Sequence, residues 1–598
     1  MKSFFKFTFA SILGVIVGGF ILLFLGIMII AGIASSADKA VTVKNKSVLE
    51  IKLNKSLADR GADNPFDELD LPGTGSSSIG LTTILESIEK AKTDEKIKGI
   101  YLNVSDISAN FGGIASIEEI RNKLKEFKET GKFIVSYNNF GYSQKAYYLT
   151  SVSDSIYLNP EAMIMLLGMG GERTFYKKFL KNIGVEAQVI RVGKYKSATE
   201  QFFRDDMSDE SREQTMAYVG DIWNQILKGI SEERGISVDR LNELIDAFAI
   251  KKAADAKKHN LIDGVIYQDE MNDILRRLTD IKEDKKLRKI SISDYAKSPD
   301  ADSKFSKNKI AVVYASGAIG NEQSETAIGP ELATTIRKAR RDSTVKAIVL
   351  RVNSPGGSAL VSDIIWREVE LASQEKPVIA SMGNVAASGG YYIACPADTI
   401  VADKNTITGS IGIYGLFFSG EELIKNKIGF TTDSYGTNKH SAFGGGYPLM
   451  VVPVSSRKFT KTEKVILQDI INEGYDTFLT RVADGRNRTK EEIHEVAQGR
   501  VWSAVDAKEN GLVDVLGGLE TAIEIAKEKA GLKDDYRIVS LPKQKDPIQE
   551  LINDITGEAK TRFLKFELGD TYRYYNQAQS IMDLGGIQAR LPYEIELN

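Results

Sequence analysis

The 598-residue sequence has a single cysteine, Cys395, so no disulfide can form within the chain. Its three histidines, His259, His440 and His494, are too few and too scattered for a histidine-built metal centre. Charge of one sign is missing as well. Against 78 Lys and Arg stand 81 Asp and Glu, and no basic run of the kind that tracks nucleic acid occurs. No metal, no cofactor and no nucleic-acid partner are therefore expected. The remainder is ordinary for folded protein, 42% apolar and 27% charged, in a chain too long for one core.

One stretch lacks charge altogether. From Phe7 to Ala37 the residues are uncharged and mostly apolar, more than the roughly 20 that cross a bilayer core. Lys2 and Lys6 precede the stretch and Asp38 follows it, which favours a cytoplasmic N-terminus. "SSAD" at 35–38 could pass as a cleavage site, but the apolar region is too long for a signal peptide. Residues 1–37 are expected to form an uncleaved single-pass anchor with the body outside the cytoplasm.

Beyond that stretch the chain repeats itself. "GKFIVSYNNFGYSQKAYYLTSVSDSIYLNP" (131–160) aligns without a gap on "EKPVIASMGNVAASGGYYIACPADTIVADK" (375–404), matching Lys132 to Lys376, Tyr147-Tyr148 to Tyr391-Tyr392 and Asp154 to Asp398. Upstream, "KGIYLNV" (98–104) matches "KAIVLRV" (346–352), with Gly112-Gly113 opposite Gly356-Gly357. Downstream, 182–198 echoes 427–442. Such order over about a hundred positions implies two copies of one domain. In the first copy "KGIYLNV" and "KFIVSY" read as buried strands. Between them Ile114, Ile117, Ile120, Leu124 and Phe127 recur at helical spacing, with Ser116 and Glu119 as a capping box and Gly131 as the stop. Strand, helix, strand in so short a space is a crossover unit, so the fold class is α/β with largely parallel sheets. The expected division is an anchor at 1–37, a first repeat at 38–284, a polar linker at 285–308, a second repeat at 309–542 and a C-terminal appendage at 543–598, containing Pro547 and "TYRYYNQAQ".

Three glycine- and serine-rich clusters in the second copy carry candidate chemistry. "RVNSPGGSA" (351–359) lies between a predicted strand and a predicted helix over Asp363–Ala372, where Gly356 and Gly357 let backbone approach a ligand. It lacks the Lys-Ser/Thr of a phosphate-binding Walker loop. Ser388, in "NVAASGGYY", has alanines before it and Gly389 behind it, so small neighbours surround one hydroxyl. "TGSIGIYG" (408–415) carries Ser410 on a turn. A serine nucleophile needs a base. His440 has no evident orienting carboxylate. A lysine serves only if burial or a nearby cation keeps it neutral, and "GKYKSATEQF" offers Lys194 and Lys196. The residues alone leave tight packing and catalysis both open.

Taken in order, "GKYKSATEQF", "NSPGGS", "NVAASGGYY" and "TGSIGIYG", behind an apolar N-terminus and across a repeat, resemble the long, duplicated form of the signal peptide peptidase A (protease IV) family. These are Ser/Lys peptidases of the ClpP/crotonase-like superfamily. The resemblance implies two tandem ClpP/crotonase-like domains with Ser388 as nucleophile, Lys196 as general base and Ser410 orienting the lysine. Gly389, Gly356 and Gly357 would hold the oxyanion. Lys194 would act at most through its field, and no role follows for Lys439 or His440. Gln144 stands opposite Ser388, so the first copy has no nucleophile of its own. The family also implies hydrophobic peptide substrates such as released signal-peptide remnants, a homo-oligomer (a tetramer), and a bacterial inner membrane location with the catalytic body on the periplasmic side. Two rival readings share these features: a crotonase-type acyl-CoA enzyme and a non-catalytic membrane scaffold.

Overall fold

The computed structural model describes residues 6–21, 24, 41–61, 78–107, 113–299, 306–321, 327–445, 454–544 and 586–591. Three sheets organise the body. The first runs Gly264–Val265, Ser155–Leu158, Phe133–Asn138, Ile97–Leu102, Ser47–Ile51, Lys289–Ser291, with every neighbouring pair parallel. The second is built around Val378–Ala387, Val345–Ser354 and Lys309–Ser316, also parallel, with Val501–Ser503 antiparallel at one edge. All ten residues of Val378–Ala387 are buried, as expected of a strand covered on both faces by helices. The fold is thus α/β with mostly parallel sheets.

The aligned positions make matching contacts. Asp154 accepts the Ile134 amide and Asp398 the Val378 amide, both at 2.7 Å. Lys132 ties down the carbonyls of Ala91 and Asp94, and Lys376 those of Ala339 and Asp342. Tyr147 donates to the Leu261 carbonyl and Tyr391 to that of Leu512.

The third sheet positions the site. Its order is Ala327–Ile328, Ala318–Ile319, Gly356–Ser358, Gly586–Arg590, Tyr414–Ser419, Glu186–Arg191. Glu186–Arg191, from the first half, pairs antiparallel with Tyr414–Ser419 in six consecutive residue pairs, and so reaches across into the second half.

A second joint is ionic. Arg351, fully buried, donates to Asp59 at 2.9 Å, Glu119 at 2.6 Å and the Ser381 hydroxyl at 3.1 Å. Glu119 also accepts the Leu519 amide. This overturns the expected capping box. The helix starts at Ile114 behind Gly113, Ser116 and Glu119 lie inside it, and the glutamate serves the neighbouring half. Its apolar positions Ile114, Ile117, Ile120, Leu124 and Phe127 are buried as the spacing predicts.

Three other expectations change. Part of the supposed linker is structured, since Lys289–Ser291 is an edge strand of the first sheet and Ile292–Ala296 a helix. The supposed appendage contributes Gly586–Arg590 to the third sheet, while Pro547 and "TYRYYNQAQ" lie outside the described residues, as does Gly112. Among the described residues no helix is long and apolar enough to cross a membrane, and the placement in an inner membrane with a periplasmic body is withdrawn. The reason is length. Residues 6–21 are helical, about 24 Å at 1.5 Å per residue against a hydrocarbon core of about 30 Å, and most of 22–37 lies outside the described residues.

Arg351→Met leaves the buried carboxylates of Asp59 and Glu119 without the cation they share. It is expected to lower unfolding free energy by about 3–5 kcal/mol in urea denaturation. A loss under about 1 kcal/mol would show that the cluster does not hold the halves together.

Candidate active site

Ser388 ends the buried strand Val378–Ala387 and caps the short helix Gly389–Ala394. Its backbone sits at φ 55, ψ −114, a conformation an L-residue adopts only when its surroundings impose it. Here the Ser388 amide donates to the Gly409 carbonyl at 2.8 Å, and the Ser388 carbonyl accepts the Tyr392 amide at 2.8 Å. Space is the other constraint. A methyl on Gly389 would stand 2.7 Å from Ser362 Oγ, and one on Gly390 would stand 2.6 Å from the Ser354 carbonyl. The glycines after Ser388 are therefore required by packing as much as by access.

Lys196 arrives from the other half. It follows the strand Glu186–Arg191 through a turn at Gly193, and its side chain is fully buried. Its Nζ lies 2.8 Å from Ser388 Oγ, 2.9 Å from Ser410 Oγ and 2.9 Å from the Ser410 carbonyl. Ser410 is also held at positive φ, its amide donating to the Arg500 carbonyl. Burial alone drives the Lys196 ammonium well below its ordinary pKa; no charged neighbour contributes. A neutral amine has two hydrogens and one lone pair. Were both of those hydrogens given to Ser410, the lone pair would face the Ser388 hydroxyl.

The remaining expected residues are placed as follows. Gly356 (φ 91) approaches so closely that a methyl there would sit 2.6 Å from the Gly389 nitrogen. Its own amide donates to Ser354 Oγ at 3.1 Å. Gly357 lies in the adjoining strand Gly356–Ser358. Lys194 is exposed, its ammonium 5.1 Å from the Tyr195 ring centroid, and makes no contribution to the Lys196 shift. Lys439 and His440 are exposed, in contrast to the buried pair. Gln144, opposite Ser388 in the repeat, caps a turn by accepting the Leu167 and Gly168 amides.

Sequence reasoning missed the groups that hold Lys196 in place. Gln214, on the helix Asp209–Arg234, is fully buried. It donates to the Tyr195 carbonyl at 2.9 Å and Ser197 Oγ at 3.1 Å, and accepts the Val501 amide at 3.0 Å. One amide thus ties both flanks of the lysine to the other half. Gly499 packs flat against the lysine backbone; a methyl there would stand 2.6–2.8 Å from Lys196 Cβ, N and Cα. Neither residue sits in a recognisable motif. The only signal was the glycine itself.

The chain is similar over most of its length to known proteases. Residues 126–282 and 370–533 match peptidase family S49. "Protease 4" of Haemophilus influenzae is 35% identical over 544 residues, 88% of this chain and 86% of that protein. The chloroplastic "Serine protease SPPA" of Arabidopsis thaliana is 32% identical over 525 residues, 86% of this chain and 74% of that one. "Putative signal peptide peptidase SppA" of Enterococcus faecium is 35% identical over 231 residues, 38% of this chain and 60% of that one.

Gly499→Ala must displace the lysine backbone, since its φ is 79 and the added methyl has no room. Labelling of the chain by a serine-directed fluorophosphonate is expected to slow on the order of 100-fold, with the circular dichroism spectrum retained. An unchanged labelling rate would mean that the lysine placement does not govern serine reactivity.

Proposed function

The chain belongs to peptidase family S49 and is a serine peptidase, and we propose that Ser388 is its nucleophile and Lys196 its general base. The observation that carries this reading is the 2.8 Å contact between a buried, charge-depleted amine and a hydroxyl held in a strained backbone. Lys196 takes the Ser388 proton as Oγ attacks a peptide carbonyl. The tetrahedral oxyanion is held by backbone amides, each worth about 3–4 kcal/mol in comparable sites. Because the Gly356 amide is already given to Ser354, we assign that role to Gly389 and Gly357. Protonated Lys196 then gives its proton to the leaving amine, and water repeats the cycle on the acyl-enzyme. Ser410 orients the amine through both its oxygens.

In this reading the chain is two ClpP/crotonase-like copies, 38–284 and 309–542, each supplying one member of the pair. The substrates are hydrophobic peptides such as signal-peptide remnants, in keeping with the name of the Enterococcus relative, and the working form is a homo-oligomer. An acyl-CoA enzyme would have no use for an amine at this serine, and a scaffold would have no use for a strained one.

Ser388→Ala is expected to lower peptide hydrolysis by on the order of 10⁴-fold or more and to abolish fluorophosphonate labelling. Retained labelling, or retention of the chain on immobilised coenzyme A, would favour a rival.

The pH dependence follows from the sign of the lysine shift. The pKa lies below the ordinary 10.5, so hydrolysis should rise with pH through that lowered value and then level off. The unfolded chain binds a proton at this lysine that the folded chain does not, so stability is lost below 10.5. Lys196→Met is therefore expected to be inactive yet more resistant to urea at pH 7, the difference shrinking as pH approaches 10.5. A methionine variant less stable than the parent at neutral pH would refute the neutral-lysine assignment.

A further inference from the structure

Three consecutive residues, Gln498, Gly499 and Arg500, run between the turn that carries Lys196 and the turn that carries Ser410. The Gln498 carbonyl accepts the Tyr195 amide at 3.1 Å, and the Gly499 amide donates to the Ile411 carbonyl at 2.8 Å. The Arg500 carbonyl accepts the Ser410 amide at 2.6 Å. The lysine and the serine that orients it are thus tied by backbone to one short segment. Gln498 is held at φ 54, its amide donating to the Tyr475 hydroxyl at 3.2 Å. Gly409, whose carbonyl takes the Ser388 amide, is pressed against the same segment. A methyl there would stand 2.8 Å from Trp502 Cδ1 and 3.0 Å from the Arg500 carbonyl.

The Arg500 side chain closes this arrangement around the residue before the lysine. Its guanidinium carbon lies 4.3 Å from the Trp502 ring centroid and 4.7 Å from that of Tyr195, within the range in which a cation is attracted to a ring face. Nη1 donates to the Tyr195 hydroxyl at 3.0 Å and pairs with Glu213 at 3.0 Å, and that hydroxyl donates to Glu213 at 3.3 Å. Gln214 donates to the Tyr195 carbonyl and the Tyr195 amide is given to Gln498, so every polar group of Tyr195 is engaged. Glu213 is more than half exposed, and an exposed ion pair adds little to stability. What the arginine contributes is placement.

We propose that Arg500 is a positioning residue for the general base. Its carbonyl sets Ser410, its guanidinium sets Tyr195, and together they hold the Lys196 amine at Ser388 and out of reach of water. This rests on the assignment of Lys196 above.

The test is the pH dependence of kcat and KM for a fluorogenic peptide in the parent and in Arg500→Met, which keeps the carbonyl and loses the guanidinium. Once Tyr195 is loosened, water reaches the amine and its pKa moves back toward the ordinary 10.5. The pH at which kcat is half its plateau is expected to rise by about one unit, which is tenfold in neutral amine. Turnover should therefore fall about tenfold on the acid limb and recover on the plateau, with KM unchanged. A role in stability alone would lower activity equally at every pH, and an unmoved midpoint overturns the proposal. Should Arg500→Met not fold, Tyr195→Phe is read instead. It removes only the hydroxyl that Arg500 and Glu213 meet, and a rise of the midpoint is again expected; the parent's midpoint in that variant overturns the proposal. Where both variants fold, the double variant should lose no more than Arg500→Met alone, since both break one contact. Fully additive losses would sever Arg500 from Tyr195 and overturn it. Lys196→Met separates the two assignments. An inactive Lys196→Met with an unmoved Arg500→Met midpoint leaves the base standing and removes the clamp, whereas turnover retained by Lys196→Met removes both.

Discussion

The contact between Lys196 and Ser388 depends on a strand crossing from one half of the chain into the sheet of the other. Glu186–Arg191 pairs with Tyr414–Ser419 over six residues, and the lysine follows five residues after that strand ends. Antiparallel pairing fixes register in steps of one residue, and a slip of one would turn every side chain to the opposite face. The position of Nζ relative to Oγ is therefore set by backbone hydrogen bonds rather than by the flexible lysine side chain. Gln214 and Gly499 complete the setting, one by binding both flanks of the lysine and the other by leaving it room.

Burial makes this geometry chemically useful and also makes it costly. Burial with no carboxylate among its contacts holds the lysine's pKa well below the ordinary value, and an amine that has lost its proton is able to accept one from a hydroxyl. Two features offset the expense. Ser410 supplies acceptors for both amine hydrogens, so no donor is left unsatisfied. The paired charges that join the halves lie elsewhere, at Arg351 with Asp59 and Glu119, where they do not stabilise a protonated lysine. Separation of the ionic joint from the reacting pair is what allows one interface to carry both.

Much of this was legible in the sequence where a residue's identity alone constrained the backbone. Ser388 and Ser410 stood out for the small residues and glycines around them, Lys196 was chosen over Lys194 only through the resemblance to a peptidase family, and the structure brings the three together. The buried face of Ile114–Lys128 followed from its spacing. Where the deciding partner lies far along the chain, local pattern failed. Ser116 and Glu119 have the spacing of a capping box, yet Glu119 bonds Arg351 and Leu519, hundreds of residues away. Lys289–Ser291 is polar on its exposed side and reads as linker, but its backbone completes a sheet edge. Gly586–Arg590 has no alternation to mark a strand; two waiting edges make it one. The apolar N-terminus misled in the opposite sense, since composition promised a span that the described helix is too short to make.

The strained serine is held by the same kind of constraint. Ser388 keeps φ 55 because its amide and its carbonyl are both engaged, with Gly409 and Tyr392. A methyl on Gly389 or Gly390 would collide with Ser362 or Ser354, so the chain just after the serine has no room to relax. Returning Ser388 to an ordinary conformation would break both backbone bonds at once, and the strain is therefore carried by the buried strand and helix on either side of it.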